Sequence, residues 1–233
     1  MNLNYLIKDI KAPRYKTGMI INVQKYSDDG STFPCEKCIG KCVHSASMGN
    51  VFILTASTVV YDDSEAEKSS FDLFYDSHSS QFTTLQGRRI SEIDLSEGWC
   101  VVECVTCDLS LLDRLILMTN KCKEQMIKVN MKYNTPEHQR TFTCIVSHPH
   151  GFPKHVTFGY WKDRVSVSKD RYNLHTRYQY TTRTCPGSAG AFVYIIGVSD
   201  ISQKAYHVHI SFQAERCNYC SIGVEKLPEV IDL

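Results

Sequence analysis

The chain has 233 residues, and its 26 basic and 25 acidic residues give a net charge of +1. The basic residues form no stripe and no cluster, so we expect neither a nucleic-acid partner nor a membrane-surface partner. With 42% hydrophobic and 22% charged residues, the composition is typical of a packed globular protein. The length suits one large β domain or two barrels of roughly 100 residues each.

The beginning of the chain and its cysteines together predict a compartment. Residues 1–9 are too short and too polar for a signal peptide, and no segment approaches the roughly 18 consecutive apolar residues of a transmembrane helix. Eleven cysteines without a secretory signal favour reduced thiols or a metal site over a disulfide framework. We therefore expect a cytoplasmic protein.

Short runs of alternating apolar and polar residues predict β-strands along most of the chain. They lie at 18–24, 51–56, 71–75, 100–105, 125–131, 140–147, 155–161, 176–182, 191–197 and 205–212. Only 109–118 has helical spacing, and this segment would equally suit a strand that continues into a linker. So many short strands with turn residues between them predict an all-β fold, either a sandwich or barrels.

The clearest boundary in this pattern lies near the middle of the chain. We place an inter-barrel linker at 113–124, where polar residues interrupt the strand-like runs. This predicts an N-terminal β-barrel at 1–112, and a C-terminal β-barrel with a tail at 125–233.

Three segments carry a more specific signal. Residues 53–60 read Ile-Leu-Thr-Ala-Ser-Thr-Val-Val, residues 107–112 read Cys-Asp-Leu-Ser-Leu-Leu, and residues 184–193 read Thr-Cys-Pro-Gly-Ser-Ala-Gly-Ala-Phe-Val. In this order they resemble the Leu-Thr-Ala-Ala-His-Val-Val, Asp-Ile-Ala-Leu-Leu and Gly-x-Ser-Gly-Gly segments of chymotrypsin/trypsin-like serine proteases. The resemblance implies two antiparallel β-barrels, few short helices, and an active-site cleft between the barrels.

The resemblance also assigns the catalytic positions. It implies that Thr58 stands in place of the histidine and that Asp108 matches the orienting aspartate. If both glycines of the third segment are matched, Ala189 takes the place of the nucleophile and Gly187 supplies an oxyanion-hole N–H. Alanine offers no nucleophile, and a threonine hydroxyl is not basic.

A shift of one residue in the third segment leaves an alternative open. It makes Ser188 the nucleophile, but it places Pro186, which has no N–H, at the oxyanion glycine. The base would then have to come from elsewhere, for example from His148 or His150. This alternative predicts an active serine hydrolase with a relocated base.

The favoured interpretation is a pseudoprotease, which is a non-catalytic binding or regulatory module. Its partner would be an extended peptide or protein that adds as a strand in the inter-barrel cleft. Arg183, six residues before the nucleophile position, matches the base of the family's specificity pocket and would favour an acidic side chain there. The alternative for Arg183 is an ordinary exposed strand residue.

A further hypothesis is a zinc-stapled interaction domain, with zinc as the only cofactor that the sequence suggests. Two Cys-x-x-Cys pairs have the residue type and spacing of structural zinc ligands. They are Cys35, Cys38, Cys217 and Cys220. Because the second pair lies in a predicted strand, its two thiols would point to opposite faces, and free thiols or redox disulfides remain alternatives. His207 and His209 share one strand face, where they would bind metal, face solvent or accept hydrogen bonds.

Overall fold

A computed structural model of the chain describes residues 15–26, 48–133, 142–199, 206–213 and 217–226. Over these ranges the chain forms twelve strands and two α-helices. The strands are β1 (Met19–Tyr26), β2 (Met48–Ala56), β3 (Ser70–Leu73), β4 (Thr83–Asp94), β5 (Trp99–Thr106), β6 (Phe142–Ser147), β7 (His155–Lys169), β8 (Asn173–Tyr180), β9 (Val193–Ile195), β10 (His209–Gln213), β11 (Cys217–Cys220) and β12 (Gly223–Lys226). The helices are α1 (Asp63–Lys68) and α2 (Leu109–Tyr133).

The strands form two antiparallel sheets, which define two lobes. The N-terminal lobe holds five strands in the order β1-β2-β5-β4-β3. The C-terminal lobe holds seven strands, in the order β10-β11-β8-β7-β6-β9 with β12 paired to β8. The predicted all-β class is therefore confirmed.

Nine of the ten predicted strands overlap a strand of the structure. The prediction at 125–131 is wrong, because α2 continues through it to Tyr133. The predicted linker at 113–124 also lies inside this helix. Strands β4 and β12 were not predicted.

Helix α2 contacts both lobes through different parts of its length. Leu111, Leu112 and Leu115 are buried with the side chains of β2 and β5. Further along, Met126 packs against the cluster between the lobes, and Asn130 Nδ2 donates to Ser199 O at 2.7 Å. In the described ranges neither helix has the length and apolar character needed to cross a membrane.

The lobes share a hydrophobic cluster, and this cluster positions the candidate site. Leu54, Ala56 and Trp99 of the N-terminal lobe pack with Phe192 and Val208 of the C-terminal lobe. All five side chains are less than 10% exposed. The end of β2 is consequently held against the segment that follows the Ala189 turn.

Candidate functional site

The turn around Gly187 follows from its local sequence. Ser188 N donates to Cys185 O at 3.0 Å, and Gly187 has a φ of +100°. Proline at the second position and a positive-φ glycine at the third are the requirements of a type II β-turn. A Cβ at Gly187 would also lie 2.8 Å from His150 N, so only glycine fits there.

The carbonyl groups of this turn are fixed by neighbouring segments. His150 N donates to Pro186 O at 2.6 Å. Thr17 N donates to Ala189 O at 3.0 Å, and Thr17 Oγ1 donates to Gly187 O at 2.8 Å. The same threonine hydroxyl accepts from the backbone N–H of His148 at 3.0 Å. Thr17 is 6% exposed, so this network is shielded from water.

Two backbone donors of the turn are left over. Within the described residues, neither Gly187 N nor Ala189 N has a hydrogen-bond acceptor. The carbonyl of the Pro186–Gly187 peptide is bonded to His150 N, and the carbonyl of the Ser188–Ala189 peptide accepts from Ala191 N at 3.0 Å. Because a trans peptide points its N–H away from its carbonyl, both N–H groups are directed away from these partners. The turn therefore keeps two donors without acceptors, and the oxyanion-hole role of Gly187 stays a prediction.

Gly190 brings this turn against the end of β2. A Cβ there would overlap Thr55 Oγ1 and Thr17 O and would lie 3.2 Å from Ala56 N. Gly190 N also donates to His209 O at 2.8 Å. Ala189 thus precedes a glycine that abuts Ala56, two residues before Thr58, and the segments carrying Thr58 and Ala189 are neighbours.

Thr58 lies in the turn that follows β2. Its side chain is exposed, while Ser57 before it is buried and donates its N–H to Gly98 O at 3.2 Å. Within the described part of the chain, no hydrogen bond is made by the Thr58 hydroxyl. The position predicted for a base therefore presents one accessible hydroxyl.

Asp108 is not near Thr58, and the prediction that it orients a base there is corrected. In the antiparallel β2–β5 ladder, Ala56 pairs with Trp99 and Gly49 pairs with Thr106. Thr58 follows the Ala56 end and Asp108 follows the Thr106 end. Seven residue steps separate these ends, which amounts to about 24 Å.

Asp108 instead caps the start of α2. Its Oδ1 accepts from Leu111 N at 2.9 Å and from Ser110 Oγ at 2.7 Å. An aspartate whose side chain accepts a hydrogen bond from the backbone N–H three residues later is a standard helix N-cap. The Asp-Leu-Ser-Leu-Leu segment is therefore a helix start, although it has the letters of a catalytic strand.

The carboxylate at the correct end of the ladder is Glu97, which the sequence analysis missed. It lies in the hairpin before β5, next to Gly98, and its side chain is 14% exposed. Its Oε1 is 2.7 Å from His175 Nδ1, and its Oε2 accepts from Trp99 Nε1 at 2.8 Å. Ile222 N donates to Glu97 O at 2.8 Å. Both carboxylate oxygens and the backbone carbonyl of Glu97 therefore have partners, and two of these partners, His175 and Ile222, belong to the C-terminal lobe.

Ser188, the alternative nucleophile, is buried. It is 1% exposed, and its Oγ lies 3.1 Å from Ser147 Oγ and accepts from Cys185 N at 3.4 Å. Among the described residues, no histidine forms a hydrogen bond with its hydroxyl. A hydroxyl enclosed in this way is not presented to a substrate.

The two loop histidines have structural partners. His148 Nδ1 is 3.1 Å from Phe152 O, and the ring stacks on Tyr75 with centroids 5.9 Å apart. Burial lowers the pKa of His148. His150, with a φ of +56°, uses its backbone N–H to hold the Pro186 carbonyl. The loop therefore supports the turn at Gly187.

His207 and His209 are buried and hydrogen-bonded, so of the alternatives named for them solvent exposure is wrong. His207 Nε2 lies 3.1 Å from Thr176 Oγ1, and His209 Nδ1 lies 2.7 Å from the Tyr180 hydroxyl. Burial lowers the pKa of each histidine to about 4. Arg183 is exposed, and its pocket role stays a prediction.

The structure describes only two of the four cysteines predicted to bind zinc. Cys35 and Cys38 lie outside the described residues. Cys220 is buried, which raises its pKa to about 12, and its Sγ accepts from Tyr178 N at 3.2 Å. Cys217 is half-buried on the same short strand. The described residues contain no group of three or more potential metal ligands.

Comparison with known proteins gives structural likeness only. No family model and no curated protein matches the sequence. The Rv3671c protease in its inactive form shares 8% identity over 75% of this chain and 77% of that chain, with a TM-score of 0.39. Rv3671c protease from M. tuberculosis in its active form shares 10% identity over 78% and 71%, with a TM-score of 0.37. The HtrA-type protease AlgW, solved with a decapeptide, shares 11% identity over 88% and 58%, with a TM-score of 0.37. Identities this low transfer no residue roles to this chain.

Proposed function

We propose that this chain is a trypsin-like protease-fold domain that binds an extended peptide between its lobes and does not cut it. One observation carries the proposal. The turn at 186–190 keeps two backbone donors in a rigid frame, yet the residue between its glycines that would attack is Ala189. Such a turn can hold a carbonyl or an anion, but its one hydroxyl, that of Ser188, is buried and is not available to form an acyl intermediate.

The remaining groups support the same function. Thr58 offers an exposed hydroxyl, which does not act as a base near neutral pH. Asp108 caps a helix at the far end of the β2–β5 ladder. In the best-studied triad, loss of the nucleophile or the base alone costs about 10⁶-fold in rate. Binding is the activity that these residues leave intact.

The peptide would lie along β10. This strand lies at one edge of the second sheet, and it is hydrogen-bonded to β11 on its inner side. His209, its first residue, exchanges backbone hydrogen bonds with Gly190 and Ala191. A strand that ends a sheet and begins at the candidate site is suited to strand addition by a peptide.

The test pairs a chemical probe with binding. We expect the purified chain to resist labelling by a fluorophosphonate and to leave casein and fluorogenic peptides uncut. It should nevertheless retain members of a synthetic peptide pool. The Ser188→Ala variant is the matched control. Labelling that disappears in this variant would establish the Ser188 hydrolase and overturn the proposal.

A further inference from the structure

We infer that the anion recognised at the 186–190 turn is the free C-terminal carboxylate of a peptide. This deepens the proposed function and rests on it. The two donors are Gly187 N and Ala189 N, which have no acceptor among the residues that the structure describes. Backbone N–H groups that lack acceptors within one turn form a natural site for a carboxylate oxygen.

The donors are preorganised rather than induced by a ligand. The Pro186 carbonyl is bonded to His150 N, and the Gly187 and Ala189 carbonyls are bonded to Thr17. Reversal of the Pro186–Gly187 peptide would break the first of these bonds and the type II geometry. Because the frame exists before binding, the ligand bears little ordering cost.

The substitutions around the turn favour a carboxylate over an internal peptide carbonyl. Alanine at 189 removes the hydroxyl that would otherwise stand beside the donors, which leaves space for the second carboxylate oxygen. The exposed Thr58 hydroxyl, on the neighbouring segment, can donate to an anion, whereas a neutral imidazole nitrogen without a proton can only accept. A chain that ends here supplies two oxygens, and a continuing chain supplies one.

The charges near the site also permit an anion. Asp108 lies at the opposite end of the β2–β5 ladder. Two carboxylates lie at the near end: Glu97 Oε1 is 2.7 Å from His175 Nδ1, and Asp94 Oδ1 accepts from Ser96 Oγ and Glu97 N. Lys16 precedes Thr17 and is close enough to His209 to lower the pKa of that histidine. An incoming carboxylate would therefore meet donors and a nearby cation.

The direction of the bound peptide follows from the same contacts. Backbone bonding at Gly190 and His209 places the turn at the start of β10. If a peptide pairs with the edge of β10 and its C-terminus binds the two donors, the residues before its C-terminus would lie along β10. The last residue of the ligand would then lie beside Ala189, and Arg183 would remain the candidate for reading its side chain.

The experiment uses synthetic pools of random hexapeptides in two forms, with a free carboxylate and with a C-terminal amide. We expect the full-length chain to bind the free-acid pool about tenfold or more tightly, because a charged carboxylate oxygen is a stronger hydrogen-bond acceptor than a neutral amide carbonyl. In ¹⁵N–¹H spectra of the same protein, the Gly187 and Ala189 amide signals should shift with the free-acid pool only.

A pair of isosteric variants isolates charge from shape. Ala189→Asp places a carboxylate beside the donors, and Ala189→Asn places a neutral group of the same size there. We expect the Asp variant to lose the tenfold preference and the Asn variant to keep at least a third of it. If the Asp variant does not fold, the amide shifts of the unsubstituted chain decide the question.

Each outcome has one meaning. Equal binding of both pools, or no shift at Gly187 and Ala189, overturns the carboxylate inference and leaves peptide binding in place. Binding of neither pool overturns both proposals. Cleavage of either pool overturns the proposed function itself.

Discussion

The two neighbouring turns of the candidate site differ in how tightly the surrounding residues enclose them. The turn at 186–190 is enclosed by Thr17, by the loop at 148–151 and by the end of β2, and two of its residues must be glycine. The turn at Thr58 carries one exposed hydroxyl with no partner among the described residues. The backbone donors of the first turn are held by neighbouring segments, whereas the second turn offers only a hydroxyl. This contrast supports the proposed binding function.

The largest expected effect comes from filling the enclosed turn. Gly190→Ala would drive a Cβ into Thr55 Oγ1 and Thr17 O at a residue with a φ of +87°. Steric overlap and backbone strain together should lower the free energy of unfolding by about 4 kcal/mol. Urea denaturation measures this, and Ala189→Ser, one residue away, is the control with an expected change below about 1 kcal/mol. Similar losses in both variants would mean that the turn is not tightly enclosed.

The next largest effect is a loss of folding stability in acid, caused by the two buried histidines of the C-terminal lobe. His207 and His209 have pKa values of about 4 when folded, against an ordinary value of 6.5, because both are buried. The unfolded state therefore binds protons first as the pH falls, and stability present at pH 7 is lost between about pH 6.5 and 4. The loss at pH 5 should be about 2 kcal/mol for each histidine.

Urea denaturation at pH 7 and pH 5 checks this prediction. His209→Gln keeps a hydrogen-bonding side chain opposite the Tyr180 hydroxyl but does not titrate in this range. It should remove about half of the acid-dependent loss. An unchanged loss would show that other groups are responsible.

Thr17 tests whether the frame depends on one distant hydroxyl. Thr17→Val keeps the shape but leaves Gly187 O without its donor and His148 N without its acceptor. We expect a loss of about 2 kcal/mol in stability, together with weaker peptide binding. Thr17→Ser, which retains the hydroxyl, should restore most of both. Equal damage by Val and Ser would show that the hydroxyl alone does not account for the effect.

The smallest expected effect concerns restored chemistry. Thr58→His combined with Ala189→Ser should hydrolyse an activated ester at no more than about 10⁻⁴ of the rate of a complete triad, because no aspartate orients the new base. Adding Asp108→Asn, which keeps an N-cap, should not change that rate. A tenfold drop on adding Asp108→Asn would contradict the separation of Asp108 from Thr58.

The turn at Gly187 was predictable from the sequence because its geometry is local. Proline followed by glycine specifies a type II turn through φ alone. The run before Thr58 likewise predicted the end of β2. The partners that fix the turn were not predictable, since Thr17 and Gly187 are 170 residues apart and no local pattern records their contact.

Asp108 shows where letter patterns fail. An aspartate followed by leucines suits both the start of a catalytic strand and the N-cap of a helix. Only the β2–β5 register, which is a long-range property, places it at the wrong end of the ladder. The second half of α2 was misread for a related reason. Residues 125–131 alternate as in a strand, and the contacts of Met126 and Asn130 with distant residues are not recorded in that local pattern.

Helix α2 also constrains how the molecule can move. Its 25 residues form a rod of about 37 Å that is embedded in the N-terminal lobe at one end and fastened to the C-terminal lobe near the other. A rod fixed at both ends resists splaying of the lobes more than a short flexible tether would. The two lobes should accordingly keep a constant separation when the proposed peptide binds between them.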